Sequence, residues 1–311
     1  MNQEAEENKR SQYIGMAFTI VGATLWGLSG TCVQFIESVK HVNLEWLLTV
    51  RLTFAGLFTL VYSFYRARGE IFRVFTNKKD VVKLLIFGML GLAMCQYTYF
   101  RAIKEAGVGV ATVLQYLAPT MIIVYLFMRY RKQPSVGEAL SVLLALVGTV
   151  LIVFSKGFDL ADINTGVLFW GLLSAIGICV YSLQPVQLLH KYGTGPIVGF
   201  AMLISGIGAE ALWGANESHA IWDLWTWGAL FCIIILGTVI SFNAYMEGVR
   251  RIGAVQGSIL SSIEPISAAY LGWLLLNNTF NAMNITGFIL ILSTVFILGY
   301  EKSKQKKTGN L

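Results

Sequence analysis

The chain has 311 residues, of which 56% are hydrophobic and only 13% are charged. Soluble domains carry about 25% charged residues, so this composition excludes a cytosolic enzyme, a disordered chain and a secreted disulfide scaffold. The formal charge is +6. The basic residues lie in short runs between apolar stretches, which is typical of a membrane protein and not of a nucleic-acid-binding face.

Ten apolar segments are each long enough to cross a bilayer, which takes about 20 residues. In chain order they are 13–35, 45–65, 81–100, 108–128, 136–155, 165–185, 195–214, 224–246, 253–276 and 282–300. The strands of a membrane barrel are excluded because these segments are roughly twice too long and lack strict alternation. We therefore predict an all-α polytopic membrane protein with ten transmembrane helices.

The Lys and Arg residues of the connections are divided unequally between the two sides of the membrane. With the N-terminus inside, eighteen lie on the cytoplasmic side and four on the opposite side. Connections rich in Lys and Arg stay in the cytoplasm. We therefore predict that the N- and C-termini are both cytoplasmic.

The chain also shows an internal repeat. An offset of 146 residues aligns 84–154 with 230–300 without a gap, and the first two spans of each half align at an offset near 151. Five spans per half is an odd number, so two homologous halves enter the membrane from opposite sides. This inverted repeat is the architecture of many secondary transporters, which bind substrate near the midplane between the repeats.

The repeat divides the chain into five predicted parts. They are a cytoplasmic segment 1–12, a first five-span repeat 13–155, a linker 156–164, a second five-span repeat 165–300 and a basic cytoplasmic tail 301–311.

The fourth and ninth spans carry matching polar stripes, related by the offset of 146. The eight residues are Thr112, Gln115, Tyr116, Pro119, Ser258, Ser261, Ser262 and Pro265. The spacing within each stripe is i, i+3, i+4 and i+7, so each occupies one side of a helix. Hydrogen bonding between packed helices and the lining of a cavity are both open, and the repetition favours a cavity. Each proline also frees a backbone carbonyl one turn earlier.

Charged residues inside the spans are few. Glu264 lies about eleven residues into its span, near the midplane, where an acid is costly and is a functional candidate. It is a candidate proton carrier, or a neutral side chain bonded to a neighbouring helix. We expect Arg51 to pair with Glu210; snorkelling to the surface and contact with a substrate anion or a gate are the alternatives.

Other polar or aromatic residues in the spans are candidates for lining the same cavity. They are Trp26, Ser29, Gln96, Tyr97, Tyr99, Tyr181, Gln184, Asn243 and Tyr245. For Trp26, packing in the core is the alternative. The four cysteines have no metal-ligand spacing, no span contains histidine, and there is no phosphate-binding loop or HExxH motif. We therefore expect neither a metal site nor a cofactor.

Together these features resemble the drug/metabolite transporter superfamily, specifically its ten-span EamA-type members. The resemblance covers nearly the whole chain and rests on the two five-span halves and on the residues Trp26–Gly27, Arg51, Ala55–Gly56, Pro119 and Glu264–Pro265. It implies a secondary transporter of the plasma (inner) membrane that exports amino acids or related small metabolites by alternating access. The implied central cavity is lined by spans of both halves.

The chain departs from the family pattern at two places. Members often end the fourth and ninth spans with an aliphatic–Gly–Glu sequence. Here the corresponding positions are Met128–Arg129–Tyr130–Arg131 and Leu276–Asn277–Asn278. An ion pair that relies on those acids is therefore not expected in this chain.

Two other functions are compatible with the residues. An intramembrane enzyme acting on lipid or prenyl substrates would need an acidic metal cluster or a nucleophile–base pair at membrane depth. A non-transporting sensor or subunit would need a docking domain, which the short loops and tail do not offer. The expected partners are a small-molecule substrate and the lipid bilayer, without nucleic acid, and a homodimer remains open.

Overall fold

The computed structural model describes residues 2–154, 165–213, 220–276 and 281–307. All regular structure in these ranges is helical and none of it is strand, which confirms the all-α prediction. Eight helices of this part are long and apolar enough to cross a membrane, and Ala282–Leu298 is a shorter apolar helix. The predicted linker 156–164 and the last four residues of the predicted tail lie outside the described residues.

The first half contains six α-helices: α1 (Asn2–Ser38), α2 (Leu44–Ala67), α3 (Lys78–Ile86), α4 (Met94–Gln115), α5 (Ala118–Tyr130) and α6 (Val136–Phe154). The second half contains eight: α7 (Thr165–Leu183), α8 (Val186–Tyr192), α9 (Thr194–Trp213), α10 (Leu224–Phe231), α11 (Ser241–Ile252), α12 (Ala254–Leu260), α13 (Ile263–Leu276) and α14 (Ala282–Lys307). A 3₁₀ segment, Arg68–Thr76, joins α2 to α3.

The chain reverses direction between Tyr99 and Thr112, so the residues of α4 do not form one straight helix. The hydroxyl of Tyr99 lies 2.9 Å from the hydroxyl of Thr112. In a straight helix, thirteen residues would separate these positions by about 20 Å along the axis. The third and fourth predicted spans therefore lie side by side.

Irregular helical geometry recurs at the offset of the sequence repeat. Two π-helical segments, Phe87–Ala93 and Cys232–Ile240, each continue the preceding helix. Adding 146 to 87–93 gives 233–239, which lies inside the second segment. π-Helical turns are rare and concentrate at functional sites, so their recurrence supports a common origin of the two halves.

Proline explains a second pair of matching features, the breaks between α4 and α5 and between α12 and α13. Pro119 and Pro265 have no backbone N–H, and each ring would clash with the carbonyl four residues earlier, which belongs to Gln115 and Ser261 respectively. Helix α4 ends at Gln115, and Ser261 is the C-cap of α12. The spans are thus interrupted where the polar stripes lie.

The principal helix packings join the two halves of the chain. Helix α1 packs against α11, α4 against α7, α2 against α9, and α6 against α14. At the α6–α14 crossing, a Cβ atom built on Gly287 would lie 2.6 Å from the carbonyl oxygen of Gly148. Only glycine permits backbones to approach this closely, which is the usual means of packing helices in membranes.

The exterior of the bundle is strongly apolar. Large side chains that are more than half exposed include Val61, Tyr62, Phe169, Phe231 and Phe296. Such a surface is unsuited to water but matches the hydrocarbon of a bilayer, where helices satisfy their own backbone groups. The described part of the chain is therefore a multi-pass membrane protein.

A leucine at Gly287 tests the close packing of α6 and α14. We expect Gly287→Leu to lower the free energy of unfolding by about 1–3 kcal/mol, because the added side chain meets backbone atoms that cannot move away. The measurement is thermal unfolding of the purified protein in detergent. Gly228→Leu is the matched control, since Gly228 is exposed with open space around it. Equal unfolding temperatures of the two variants would contradict the packing.

Candidate functional site

A cavity of about 380 Å³ lies between the two halves of the bundle. This volume is within the range of small-molecule sites, roughly 300–1,000 Å³. Fourteen of the residues singled out from the sequence line it: Trp26, Ser29, Arg51, Gln96, Tyr99, Thr112, Gln115, Tyr116, Pro119, Tyr181, Ser258, Ser261, Glu264 and Pro265. The two polar stripes therefore meet at one cavity.

Tyr116 and Glu264 connect the two helix breaks across the cavity. The Tyr116 hydroxyl lies 3.2 Å from the carbonyl oxygen of Ser261 and 3.4 Å from Oε2 of Glu264. That carbonyl is the one to which Pro265 cannot donate. The interruption of α12–α13 therefore exposes an acceptor beside the carboxylate, and a tyrosine of the other half binds both.

Arg51 is the cation of the cavity. Its Nε atom is buried without a hydrogen-bond partner, and its guanidinium interacts electrostatically with Glu264. Among the described residues, Arg51 forms no ion pair at contact distance. The cavity therefore holds a guanidinium and the Glu264 carboxylate that are not joined by an ion pair at contact distance.

The predicted pair of Arg51 with Glu210 is wrong. Glu210 is exposed and lies in a shallow outer groove that it shares with Thr49, Thr53 and Phe54. Thr49 and Thr53 are four residues apart and share one face of α2, whereas Arg51, midway between them, points to the opposite face. The sequence places the two charges at similar depth in the membrane. In the structure they lie on opposite sides of α2.

In the first polar stripe, the side chains bond to other helices as well as lining the cavity. Gln115 Nε2 donates to Ser174 Oγ at 2.8 Å, and Ser174 Oγ donates to the Cys95 carbonyl at 3.0 Å. Thr112 of the same stripe bonds separately to the Tyr99 hydroxyl. Interhelical hydrogen bonding and cavity lining, which the sequence left as alternatives, thus both hold here.

The second stripe is satisfied differently. The hydroxyls of Ser258, Ser261 and Ser262 donate to carbonyls three residues earlier on their own chain segment, at 2.9, 2.8 and 2.5 Å. These three hydroxyls therefore donate within their own segment and not to a neighbouring helix. The two halves therefore present similar faces to the cavity through different hydrogen bonds.

Aromatic rings form one wall of the cavity. The Trp26 ring lies 5.1 Å from that of Phe242 and 4.9 Å from that of Tyr245, and Tyr181 lies 5.7 Å from Phe242. Tyr245 is fully buried behind this wall, and its hydroxyl is 3.1 Å from that of Ser182. For Trp26, cavity lining and core packing are therefore both observed.

Five predicted lining residues lie elsewhere: Tyr97, Gln184, Asn243, Tyr245 and Ser262. Tyr97 packs against Trp170, with ring centroids 6.3 Å apart. Gln184 donates to the Lys83 carbonyl at 2.7 Å, and Asn243 donates to the Val239 carbonyl at 2.7 Å. The amide N–H groups of Gln184 and Asn243 thus bond within helix contacts and do not require a cavity, although Gln184 Oε1 is buried without a partner.

Sequence reasoning missed Gln34 and Glu37, which lie at the mouth of the cavity. The first span was expected to end at 35, which left Glu37 in a connection, but α1 continues to Ser38. A signal was present, because Trp26, Gly30 and Glu37 recur at i, i+4 and i+11 and thus share a face with Gln34. Thr238 also lines the cavity without having been predicted to do so.

No group of three or more His, Cys, Asp or Glu residues in the described ranges has the geometry to hold a metal ion. The chemistry available at the cavity is that of one guanidinium, one midplane carboxylate, hydroxyls, amides and aromatic faces. These groups can bind a small polar or amphipathic molecule.

Comparison with known proteins agrees with this geometry. The EamA-like transporter family matches residues 13–154 and 165–300. YicL of Salmonella typhimurium, an uncharacterized inner membrane transporter, is 33% identical over 295 residues, covering 95% of this chain and 98% of that protein. YcbK of Bacillus subtilis, an uncharacterized transporter, is 23% identical over 99% of both chains.

A solved crystal structure superposes on the chain with a TM-score of 0.76 at 19% identity, covering 93% of this chain and 96% of the other. At that identity the likeness shows the fold alone. The family match extends over both halves, and the Salmonella relative is similar over nearly its whole length. The chain therefore belongs to the EamA-like transporter family.

Proposed function

We propose that the protein is a secondary transporter that exports a small metabolite across the plasma (inner) membrane by alternating access. The observation that carries this proposal is the cavity between the two halves, which both polar stripes line and which holds Arg51 and Glu264. A charged side chain at membrane depth is costly and is retained where it serves a pathway.

The proposed topology has ten spans in two inverted five-span repeats, with both termini cytoplasmic. The matching π-helical segments and proline breaks support the repeat. In this topology α12 and α13 together form the ninth span and Ala282–Leu298 forms the tenth. The repeats comprise residues 13–155 and 165–300, flanked by a cytoplasmic segment 1–12 and a tail 301–311.

With this topology we infer an outward-open carrier. The lining extends from Glu264 to Glu37, Leu44, Ile103 and Val153, which lie toward the outer ends of their spans. At the inner end the described residues are tightly packed, with Leu189, Met246 and Val249 among those fully buried. Exchanging the conformations of the two inverted halves would close the outer mouth and open the inner end.

The cavity suits amino acids or related compounds. The unpartnered donor on Arg51 can bind a carboxylate, and the aromatic wall at Trp26 can contact an apolar side chain. Glu264 can carry a proton or neutralise an amino group. Because the proposed energy source is an ion or substrate gradient, Glu264 is the candidate coupling residue.

Replacing Glu264 tests the coupling. We expect Glu264→Gln to abolish transport driven by a pH gradient, because the amide cannot gain or lose a proton, while the fold is preserved because the amide still accepts the Tyr116 hydrogen bond. The measurement is metabolite flux in proteoliposomes with and without a pH gradient. Glu210→Gln, which alters an exposed acid outside the cavity, is the matched control. Full pH-gradient dependence in Glu264→Gln would remove this residue from the mechanism.

Cysteine scanning tests whether the stripes face water. In a background with Cys32, Cys95, Cys179 and Cys232 replaced by serine, we expect cysteine at Gln115 or Ser261 to react with small charged thiol reagents. Substrate should slow both reactions. The control is cysteine at Phe296, which is 75% exposed on the apolar exterior and should be shielded by lipid. Lack of reaction at both stripe positions would contradict the aqueous cavity.

A further inference from the structure

Two ion pairs connect the first half of the chain to the second. Lys40 Nζ lies 2.5 Å from Asp223 Oδ2, and Lys191 Nζ lies 2.6 Å from Asp80 Oδ2. Lys40 follows the end of α1, whereas Lys191 is in the last turn of α8. In the proposed topology the first pair lies at the outer face of the membrane and the second at the inner face.

The two pairs are related by the sequence repeat. Adding 151 to 40 gives 191, the offset that aligns the first two spans of each half. Adding 146 to 77 gives 223, and Asn77 and Asp223 are the N-cap residues of α3 and α10. Asp80 lies three residues after Asn77, one turn along the same helix face. Each lysine therefore meets an acid at the N-terminus of the equivalent helix of the other half: Asp223 is the N-cap of α10, and Asp80 lies in the first turn of α3.

Additional bonds hold each pair in place. At the Lys40 end, the Ile221 N–H donates to the Lys40 carbonyl at 3.0 Å. The Lys40 ammonium, together with the N–H and hydroxyl of Thr226, lowers the pKa of Asp223 to about 2, so this carboxylate stays ionised at physiological pH.

At the opposite end, the Tyr192 hydroxyl donates to Asp80 Oδ2 at 2.7 Å. Lys83 Nζ also donates to Gln187 Oε1 at 2.9 Å, which is a second link between α3 and α8. Asp80 is only 6% exposed, although it lies in the first turn of α3. Both connections are thus multiple contacts and not single surface ion pairs, which contribute little alone.

Symmetry then determines how the pairs behave during transport. In an inverted-repeat carrier, a contact seen in one state has its repeat-related image in the opposite state. Lys40 and Lys191 are exact images, whereas Asp80 corresponds to Thr226 and Asp223 corresponds to Asn77, three residues away at the start of the equivalent helix. The image of either link is therefore a contact of the equivalent lysine with the start of the equivalent helix. Because the structure contains both at once, the exchanged state contains both as well.

From this symmetry we propose that Lys40–Asp223 and Lys191–Asp80 are permanent links of the carrier, closed in the outward-open and the inward-open state alike. The inference rests on the proposed alternating-access function. It assigns four positioning residues to the transport cycle and identifies the moving bodies. One body contains α1 with α10 and α11, and the other contains α3 and α4 with α7 and α8, so each mixes helices of both repeats.

The close packings agree with this division. A Cβ atom on Gly22 of α1 would lie 2.7 Å from the Ser241 carbonyl oxygen at the start of α11, and one on Gly177 of α7 would lie 2.6 Å from Cys95 Cβ of α4. Interfaces this close do not slide readily, because the interior of a protein is as dense as a crystal. The opening motion is therefore expected between the two bodies and not within either.

A covalent tether tests the proposal. In the serine-substituted background described above, Lys40→Cys with Asp223→Cys, and separately Asp80→Cys with Lys191→Cys, are joined by a short bifunctional thiol reagent. We expect each tethered protein to transport within about twofold of its untethered form, because the joined segments do not separate during the cycle. The matched control joins Gln34→Cys on α1 to Val153→Cys on α6 across the cavity mouth. That tether should stop transport.

The outcomes separate this inference from the proposed function. If the wild-type protein carries out no flux, the proposed function fails. If the wild type transports and a Lys–Asp tether stops it, the links open during the cycle and the proposal is overturned. A charge exchange, Lys40→Asp with Asp223→Lys, provides a variant without a tether. Because Asp223 also caps α10, Asp223→Lys alone is measured beside it. Transport in the exchanged protein should exceed that of both single variants, and transport no better than either would count against a permanent link.

Discussion

The cost of burying polar groups in hydrocarbon governs this molecule. A backbone or side-chain polar group that faces lipid without a partner costs several kcal/mol, so the interrupted helices at Pro119 and Pro265 must face protein or water. Both interruptions lie at the central cavity, where Tyr116 of one half binds the Ser261 carbonyl and the Glu264 carboxylate of the other. The backbone groups that the proline breaks leave unpaired therefore lie in the polar surroundings of the cavity.

The same constraint distributes the remaining charges. Lys40, Asp223, Lys191 and Asp80 lie at helix ends, where they form pairs across the two halves. Arg51 and Glu264 are the charges deep in the cavity, and they remain unpaired with each other at contact distance. In the proposed function, a polar substrate would supply the partner that Arg51 Nε lacks.

Sequence reasoning could predict most of the bundle, because apolar segments of bilayer length and the periodicity of the polar stripes are direct consequences of helix geometry. It placed Tyr116, Gln115, Ser261 and Glu264 on the faces that line the cavity. It could not identify which helix a given face would contact. Asn243 was therefore assigned to the cavity, although it bonds to its own helix, and Arg51 was paired with an acid on the opposite side of α2.

Helix ends and long-range pairs account for the residues that the sequence did not predict. Helix α1 continues beyond the length that a bilayer requires, so Glu37 reaches the cavity mouth from a position that resembles a connection. The Lys40–Asp223 pair spans 183 residues and shows no local pattern. It becomes recognisable only when the two offsets of the repeat are applied to the folded chain. Long-range pairing of this kind depends on how the halves dock, which periodicity along a single helix does not encode.

In the proposed function, the cavity is a substrate site reached from either side of the membrane. The most direct test is counterflow in proteoliposomes that contain the purified protein, loaded with a mixture of amino acids and related metabolites and assayed for uptake of each labelled compound. We expect saturable, protein-dependent exchange of at least one compound bearing a carboxylate. Absence of counterflow for every compound, in protein that remains folded, would contradict it.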